Sequence, residues 1–570
     1  MARNFKIFYR SKFWLFASLF FTIFYSILML KMAFASDYIV QDDARQHVFW
    51  MMRFLDADLF PNDLIADYFQ SRAPIGYTLL YKIPAFFGVN PFLLNKLIPP
   101  FLMVSSAIYF YYLFLEIFPI PASAFLATLL FDQAVLVKDD LSSATPRAFL
   151  DPFFIAFLYY LLKENLILCL ISLFLIGIFY PQYLFICGAI LLVRLFKIEN
   201  NRFLISKNQK DYRFFYSGCG IIIFAILIYL ITTASGSQFN PVATLEQAKE
   251  LPVFGDRGRL KFFVDNPFVY WIFAENSGLF PIHVFRSILI AFGIFLPIVL
   301  KYKSSFNLAG LITKKSSILR EILFASWLMY LAAHLFLFKL HFPGRYNDHT
   351  LKIVLAIAAG IVISLTIEKL WQWSLQQRSR FQKILAKATI SIAVICIVFY
   401  YPLLVNRFPL PVYVRGDRPQ IYQFFAKQPQ DITIASLAEE ASLIPSFSYR
   451  SILVAREYGI PFHLGYYNRF RQRTIDLIEA QYTDNLKTVE TFIDRYKINF
   501  WMLESASFTP EYLSNNKWLQ QYNPTARAAE KKLEIGIEPI LLQKKKDCQI
   551  LEDKGVYVLD AKCIINQKTN

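Results

Sequence analysis

The sequence predicts a polytopic α-helical membrane protein of about 11 spans, followed by a C-terminal extracytoplasmic α/β domain. Three observations predict this. Of 570 residues, 56% are hydrophobic and only 18% charged, against about a quarter charged in soluble domains. Apolar runs of spanning length alternate with polar loops, and Lys and Arg collect in every other loop. Residues 406–570 then lose those runs and alternate short apolar strands with helical patterns. The mean hydropathy is +0.40. The 59 Phe and 33 Tyr fit spans with aromatic belts.

The formal net charge is +17. In a soluble chain this would point to nucleic acid. Here most of it falls in loops assigned to the cytoplasmic side, so no nucleic-acid partner is expected. Zinc-type cysteine spacing, a Walker loop and a dinucleotide fingerprint are all missing, which argues against an ATP-driven pump.

The elements follow in order. Arg3, Lys6, Arg10 and Lys12 precede the first apolar run, about 13–34, which gives a cytoplasmic N-terminus. Ala33-Phe34-Ala35 resembles a signal cleavage site, but the run is longer than a signal core. A long first outer loop, 35–91, contains SDYIVQDDARQHVFWMMRFLDADLFPNDLIAD. Its residues Val48, Phe49, Met51, Met52, Phe54 and Leu55 predict an amphipathic helix lying in the membrane interface. Residues 73–87 are apolar but broken by Pro74, Gly76 and Pro84, which predicts an interfacial or re-entrant segment.

Further spans are expected at about 92–118, 122–137, 148–162, 166–179, 183–196, 214–234, 284–300, 322–340, 351–367 and 388–405. Basic clusters at Arg194–Arg213, Lys301–Arg320 and Lys369–Lys387 mark inner loops. A long outer loop, 235–283, is long enough to cover something. Residues 1–405 thus form the membrane domain and 406–570 the soluble one. In the latter, Ile432–Ala435, Ser451–Val454 and Asn499–Leu503 read as buried strands. Cys548 and Cys563 are the only cysteines outside the spans, so a disulfide between them is expected in an oxidising compartment.

Two acidic pairs fall on one side of the membrane: Asp42-Asp43 in the first outer loop and Asp139-Asp140 in the second. Such carboxylates can act as a general base or hold a divalent cation, Mg or Mn, through oxygen ligands. Asp42 is the first choice for the catalytic residue, with Asp43 as alternate. Asp42, Asp139 and Asp140 are the candidate metal ligands. The alternative is that the acids cap helices and keep the loops wet. Arg345 and Arg147 are candidates for a lipid phosphate, because a guanidinium fork suits one. Arg72 is a weaker candidate of the same kind. His341 and His349 flank Arg345 and read as interfacial polar residues. Asp132, inside a span, is a functional candidate by default.

On these residues the chain resembles the GT-C class of membrane glycosyltransferases, which use polyprenyl-phosphate-linked sugars. The resemblance rests on Gln41-Asp42-Asp43-Ala44-Arg45 after an N-in span, Asp139-Asp140 in the second loop, late-loop Arg345 and the α/β tail. That class includes the oligosaccharyltransferase catalytic subunit and the protein mannosyl and aminoarabinose transferases. This chain looks distant from those, since its tail lacks a Trp-Trp-Asp motif and its first motif is Asp-Asp rather than Asp-Glu. The stretch Tyr449–Tyr458, continuing through Gly465-Tyr466-Tyr467, resembles cyanobacterial-type tails.

The resemblance implies a multi-pass cell-envelope enzyme of a bacterial inner membrane. It would move sugar from a polyprenyl-phosphate donor to a glycan, lipid or protein acceptor outside, with membrane lipid around it. A lipid or polymer transporter and a non-catalytic assembly subunit are the competing readings.

Overall fold

The computed structural model describes residues 11–199, 202–255, 258–377, 379–404 and 408–566. Arg3, Lys6, Arg10 and Arg378 lie outside the described residues.

Five helices are long and apolar enough to cross a membrane among the described residues: Ser11–Ala33, Pro91–Ile117, Gln209–Thr232, Lys314–Leu335 and Pro343–Gln376. Pro121–Val135, Leu166–Phe179, Pro181–Val193 and Ile288–Lys301 are apolar but shorter. A 15-residue helix rises only about 22 Å, less than the roughly 30 Å hydrocarbon core. Among the described residues, length and composition thus identify five spanning helices, and others of the expected spans fall on the shorter apolar helices. The five apolar helices and their packing are those of an integral membrane protein.

Pro343–Gln376 is the central helix, buried along most of its length, with Pro121–Val135, Ser317–Leu335 and the turns at Ile288–Phe295 around it. Gly360 permits one close approach: a Cβ there would stand 2.4 Å from Ala127 Cβ. The expected regular helix at 284–300 is instead two 3-10 stretches, Ile282–Arg286 and Ile288–Phe295, and a short helix, Leu296–Lys301. Its backbone presses on the central helix at Gly293, where a Cβ would lie 2.6 Å from the Leu355 carbonyl oxygen. Helix Ser11–Ala33 packs on Pro91–Ile117 and Pro121–Val135. Asp132 receives a 2.6 Å hydrogen bond from Thr22 there, so this acid ties two helices together.

The first outer loop departs from expectation. Residues Ala44–His47 form one helical turn and Phe49–Phe54 a 3-10 stretch. Val48, Phe49, Trp50 and Met51 are buried inside protein rather than turned to lipid on one side. The reason is tertiary: Phe49 meets Phe60, Phe69 and Tyr458 of the tail at ring distances of 5.3–6.4 Å. The apolar segment after it forms helices Leu64–Arg72 and Ile75–Phe86, broken at Pro74. Tyr77 and Tyr81 are buried while Ile83, Phe86 and Phe87 are exposed.

Nine strands are described. Strand β1 (Ile39–Gln41) pairs antiparallel with β4 (Tyr413–Arg415), and β2 (Phe196–Glu199) pairs with β3 (Arg202–Ile205). The tail carries β5 (Thr433–Ala435), β6 (Ser451–Ile452), β7 (Ile498–Glu504), β8 (Gln549–Asp553) and β9 (Val556–Asp560) in the order β6-β5-β7-β9-β8. β5 is parallel to β6 and β7, and β9 is antiparallel to β7 and β8. The β8–β9 hairpin was not anticipated. It turns at Lys554-Gly555, both with positive φ, as tight hairpin turns require. Cys548 and Cys563 are bonded across it, with Cα atoms 5.5 Å apart.

Candidate active site

The turn that bears the acidic pair is held from both ends. Its β1 strand is pinned to β4, and the Asp42 amide donates to the Val412 carbonyl at 3.0 Å. Beyond the pair, the His47 amide donates to the Asp43 carbonyl at 3.1 Å. The two adjacent carboxylates then diverge. Asp42 pairs with Arg45, three residues on, and Arg45 also reaches Glu457 of the tail at 2.7 Å. Asp43 pairs with Arg147, which follows the second acidic pair in the chain.

Arg147 gathers the second acidic pair. Its Nη1 is 3.2 Å from Asp140, and the Nη2 that meets Asp43 is 3.8 Å from Asp139. Gln41 donates to Asp139 at 3.3 Å. Three of the four predicted acids thus converge on one guanidinium, while Asp42 is bound elsewhere. Arg147 is engaged by carboxylates rather than turned toward a phosphate. Arg72 is also spent, on Gly236 and Asn240 of the long loop.

Behind this group lies a buried ionic layer. Lys138 and Lys352 both sit 3.4 Å from Asp140 and 3.1 Å from Asp348. His349 faces Asp151 at 3.5 Å, so it is not an interfacial residue. Asp348 and Lys352 were missed in the sequence. The available signal was a charged i,i+4 pair inside an apolar run, where ionisable residues are costly.

Arg345 opens the central helix on the far side of Asp43. It lies 3.3 Å from His341 Nε2, with its guanidinium 5.7 Å over the Phe342 ring. Phe342 belongs to a cluster with Phe254 and Phe262 of the long loop, Phe338 and Tyr467, so that loop does cover the base of Arg345.

Electrostatics follow from these partners. Burial pushes the Asp43 carboxyl up, but Arg147 beside it, with help from His47 and Arg345, holds it below the usual range. Asp140 is buried too, yet Lys138, Arg147 and Lys352 keep it well below that range. Asp139 is the exception. Burial pushes it up to about 6, and the negative charges of Asp43 and Asp140 add to the effect of burial against the pull of Arg147. Burial pushes His47 down to about 4 and His341 well below its ordinary value, so both are neutral acceptors at neutral pH.

Donor chemistry decides which groups suit a divalent cation. Asp140, Asp348 and His349 bring ligand atoms within 4.8 Å of one another. Two lysine ammonium groups already stand at 3.1–3.4 Å from those acids, so that position does not fit. Asp43 and Asp139 are hard oxygen donors, but the Arg147 guanidinium is paired with Asp43 and stands 3.8 Å from Asp139, so as they stand these two do not fit a divalent cation either. Asp42 and Asp140 are committed to Arg45 and to the lysines.

No protein-family model matches the chain, and no curated protein matches it in sequence. Solved structures do match. One is the Archaeoglobus fulgidus oligosaccharyltransferase tethered to an acceptor peptide with an NVT sequon, at TM-score 0.55 and 13% identity, covering 90% of this chain and 72% of that one. The same archaeal enzyme with an inhibitory peptide and a dolichol-phosphate gives TM-score 0.55 at 12% identity and the same coverage. Its complex with Zn and sulfate gives TM-score 0.51 at 12% identity, covering 89% and 70%. The chain thus shares the fold of that archaeal oligosaccharyltransferase. At this identity the likeness speaks for the fold alone. It supports neither the cyanobacterial-type subgroup nor a particular substrate.

Proposed function

We propose that the chain is a membrane glycosyltransferase that moves a sugar from a polyprenyl-phosphate-linked donor to an acceptor on the outer side of a cell-envelope membrane. The N-terminus is cytoplasmic and the tail lies on the acceptor side. One observation carries this reading: acids from two separate loops meet at Arg147, with Arg345 at their edge. Such an arrangement would set proton-accepting carboxylates beside a guanidinium suited to a phosphate, which is what glycosyl transfer from a lipid phosphate needs.

The acceptor attacks the anomeric carbon as the bond from sugar to phosphate oxygen breaks. The acceptor's proton passes to the Asp43–Asp139 pair. The two share a guanidinium and titrate as a unit, and Asp139 supplies the affinity near neutral pH. Arg345 takes the departing polyprenyl phosphate through its planar fork. His47 and His341 are neutral and orient polar hydrogens without adding charge. The first choice from sequence, Asp42, is replaced by Asp43, because Asp42 is turned to Arg45.

The test is sugar transfer by the full chain in membranes that contain its native lipid-linked donor. Asp43→Asn keeps size and removes charge, and transfer falls at least about a hundredfold. Near-normal transfer by both Asp43→Asn and Asp139→Asn would refute the assignment.

A further inference from the structure

The tail stretch 457–466 lies between the two halves of this site. Glu457 is buried, and both of its carboxylate oxygens are occupied. One oxygen takes Arg45 at 2.7 Å, and the other takes Gln46 and Arg259. Gln46 donates to the Glu457 carbonyl as well, at 3.0 Å. Arg259 of the long outer loop also donates to the carbonyls of Arg456, at 3.2 Å, and Glu457. Arg45 in turn donates through Nε to the Asp42 carbonyl at 3.1 Å, clamping the turn from which Asp43 projects.

Five residues further on, the Phe462 ring packs on His341 at 5.7 Å and on Phe342 at 5.4 Å. These are the two side chains that flank Arg345. The stretch is anchored between and beyond these points. Tyr458 meets Phe49, His463 is hydrogen-bonded to Tyr68 at 3.0 Å, and Tyr466 stacks on Tyr68 at 3.8 Å.

We infer that Glu457 and Phe462 are positioning residues: the tail sets the separation between Asp43 and Arg345. The inference rests on the transferase reading above. Neither residue touches the reacting atoms. Glu457 acts through Arg45 and Gln46, and Phe462 acts through His341 and Phe342. The physical reason for such a ruler is that the two site halves arrive on different elements, an outer loop and the first turn of a membrane helix. The ionic chain Asp43–Arg147–Asp140–Lys352 links them on one side, and the tail segment, touching both, fixes their register on the other. An error of about 1 Å in that register costs on the order of a hundredfold in rate.

Two readouts on the full-length protein in native membranes test this. The first is amide hydrogen exchange, which needs no substrate. Glu457→Gln speeds exchange in residues 39–47 and leaves 341–346 unchanged, and Phe462→Ala does the reverse. Unchanged exchange at both segments in both variants overturns the inference, whatever the activity. The second is transfer with the native lipid donor. Glu457→Gln lowers kcat about a hundredfold with KM for the donor nearly constant, whereas Phe462→Ala raises that KM. Glu457→Asp and Phe462→Leu restore part of each loss and serve if the harsher variants fail to insert. Normal transfer in all four also overturns the inference. A wild-type chain without transfer refutes the function, while the exchange experiment still decides the positioning.

Discussion

Asp42 and Asp43 are neighbours in sequence but face different arginines, Asp42 toward Arg45 and the tail, Asp43 toward Arg147, which follows the second acidic pair. The pair is therefore two groups with separate work. Asp42→Asn leaves Arg45 still paired with Glu457 at 2.7 Å. Transfer by Asp42→Asn falls less than tenfold, against at least about a hundredfold for Asp43→Asn, when both are assayed at equal membrane abundance.

The acid limb of the pH profile belongs to Asp139. Its carboxyl is raised from 3.8 to about 6 by burial and by the charges of Asp43 and Asp140. Transfer rises with pH through about 6 and flattens above it, and Asp139→Asn removes that limb. Stability runs the other way. The folded chain holds this proton more tightly than the unfolded chain, so the contribution is full below 3.8 and is lost as pH rises through about 6.

Arg147 is the counter-charge for three carboxylates. Arg147→Met leaves Asp43 without its partner, while Asp140 keeps Lys138 and Lys352, and costs about 3–5 kcal/mol. Thermal unfolding in detergent reads the loss. Adding Asp43→Asn to Arg147→Met recovers part of it, because the carboxylate that lost its partner is then neutral.

Topology is tested by cysteine labelling. Ser514 and Lys207 are both exposed, whereas Ser206 is buried against Asp211 and unsuitable as a probe. On intact cells an impermeant thiol reagent labels Ser514→Cys and spares Lys207→Cys. The opposite pattern inverts the proposed orientation.

The disulfide between Cys548 and Cys563 closes a loop with a sequence separation of 15. Replacing both cysteines with serine lowers the stability of the tail by about 3 kcal/mol on the loop-entropy estimate. An unchanged unfolding midpoint would show that the β8–β9 turn alone holds the hairpin.

Local chemistry made much of this legible in sequence. The long apolar helices were set by composition, because a run of apolar residues has one inexpensive environment. The tail strands at Ile434, Ile452 and Trp501 followed from short buried runs between turn residues. Asp139, Asp140 and Arg345 stood out because charge at a helix end needs a reason. The sequence also placed Asp42 and Arg45 on one face, which the ion pair between them bears out.

Tertiary structure alone decided the rest. Whether Val48–Met51 met lipid or protein depended on the tail residue Tyr458, more than 400 positions away, and no local pattern encodes that contact. The partner of each acid was undecided for the same reason. A carboxylate's role is set by the cation that reaches it through space, and Arg147 on Asp43, Lys352 on Asp140 and Arg259 on Glu457 come from three distant segments. Sequence therefore identified the charged groups of the site. The packing of the tail and loops decided that Asp42 meets Arg45 and Asp43 meets Arg147, because only folding determines which guanidinium each carboxylate reaches.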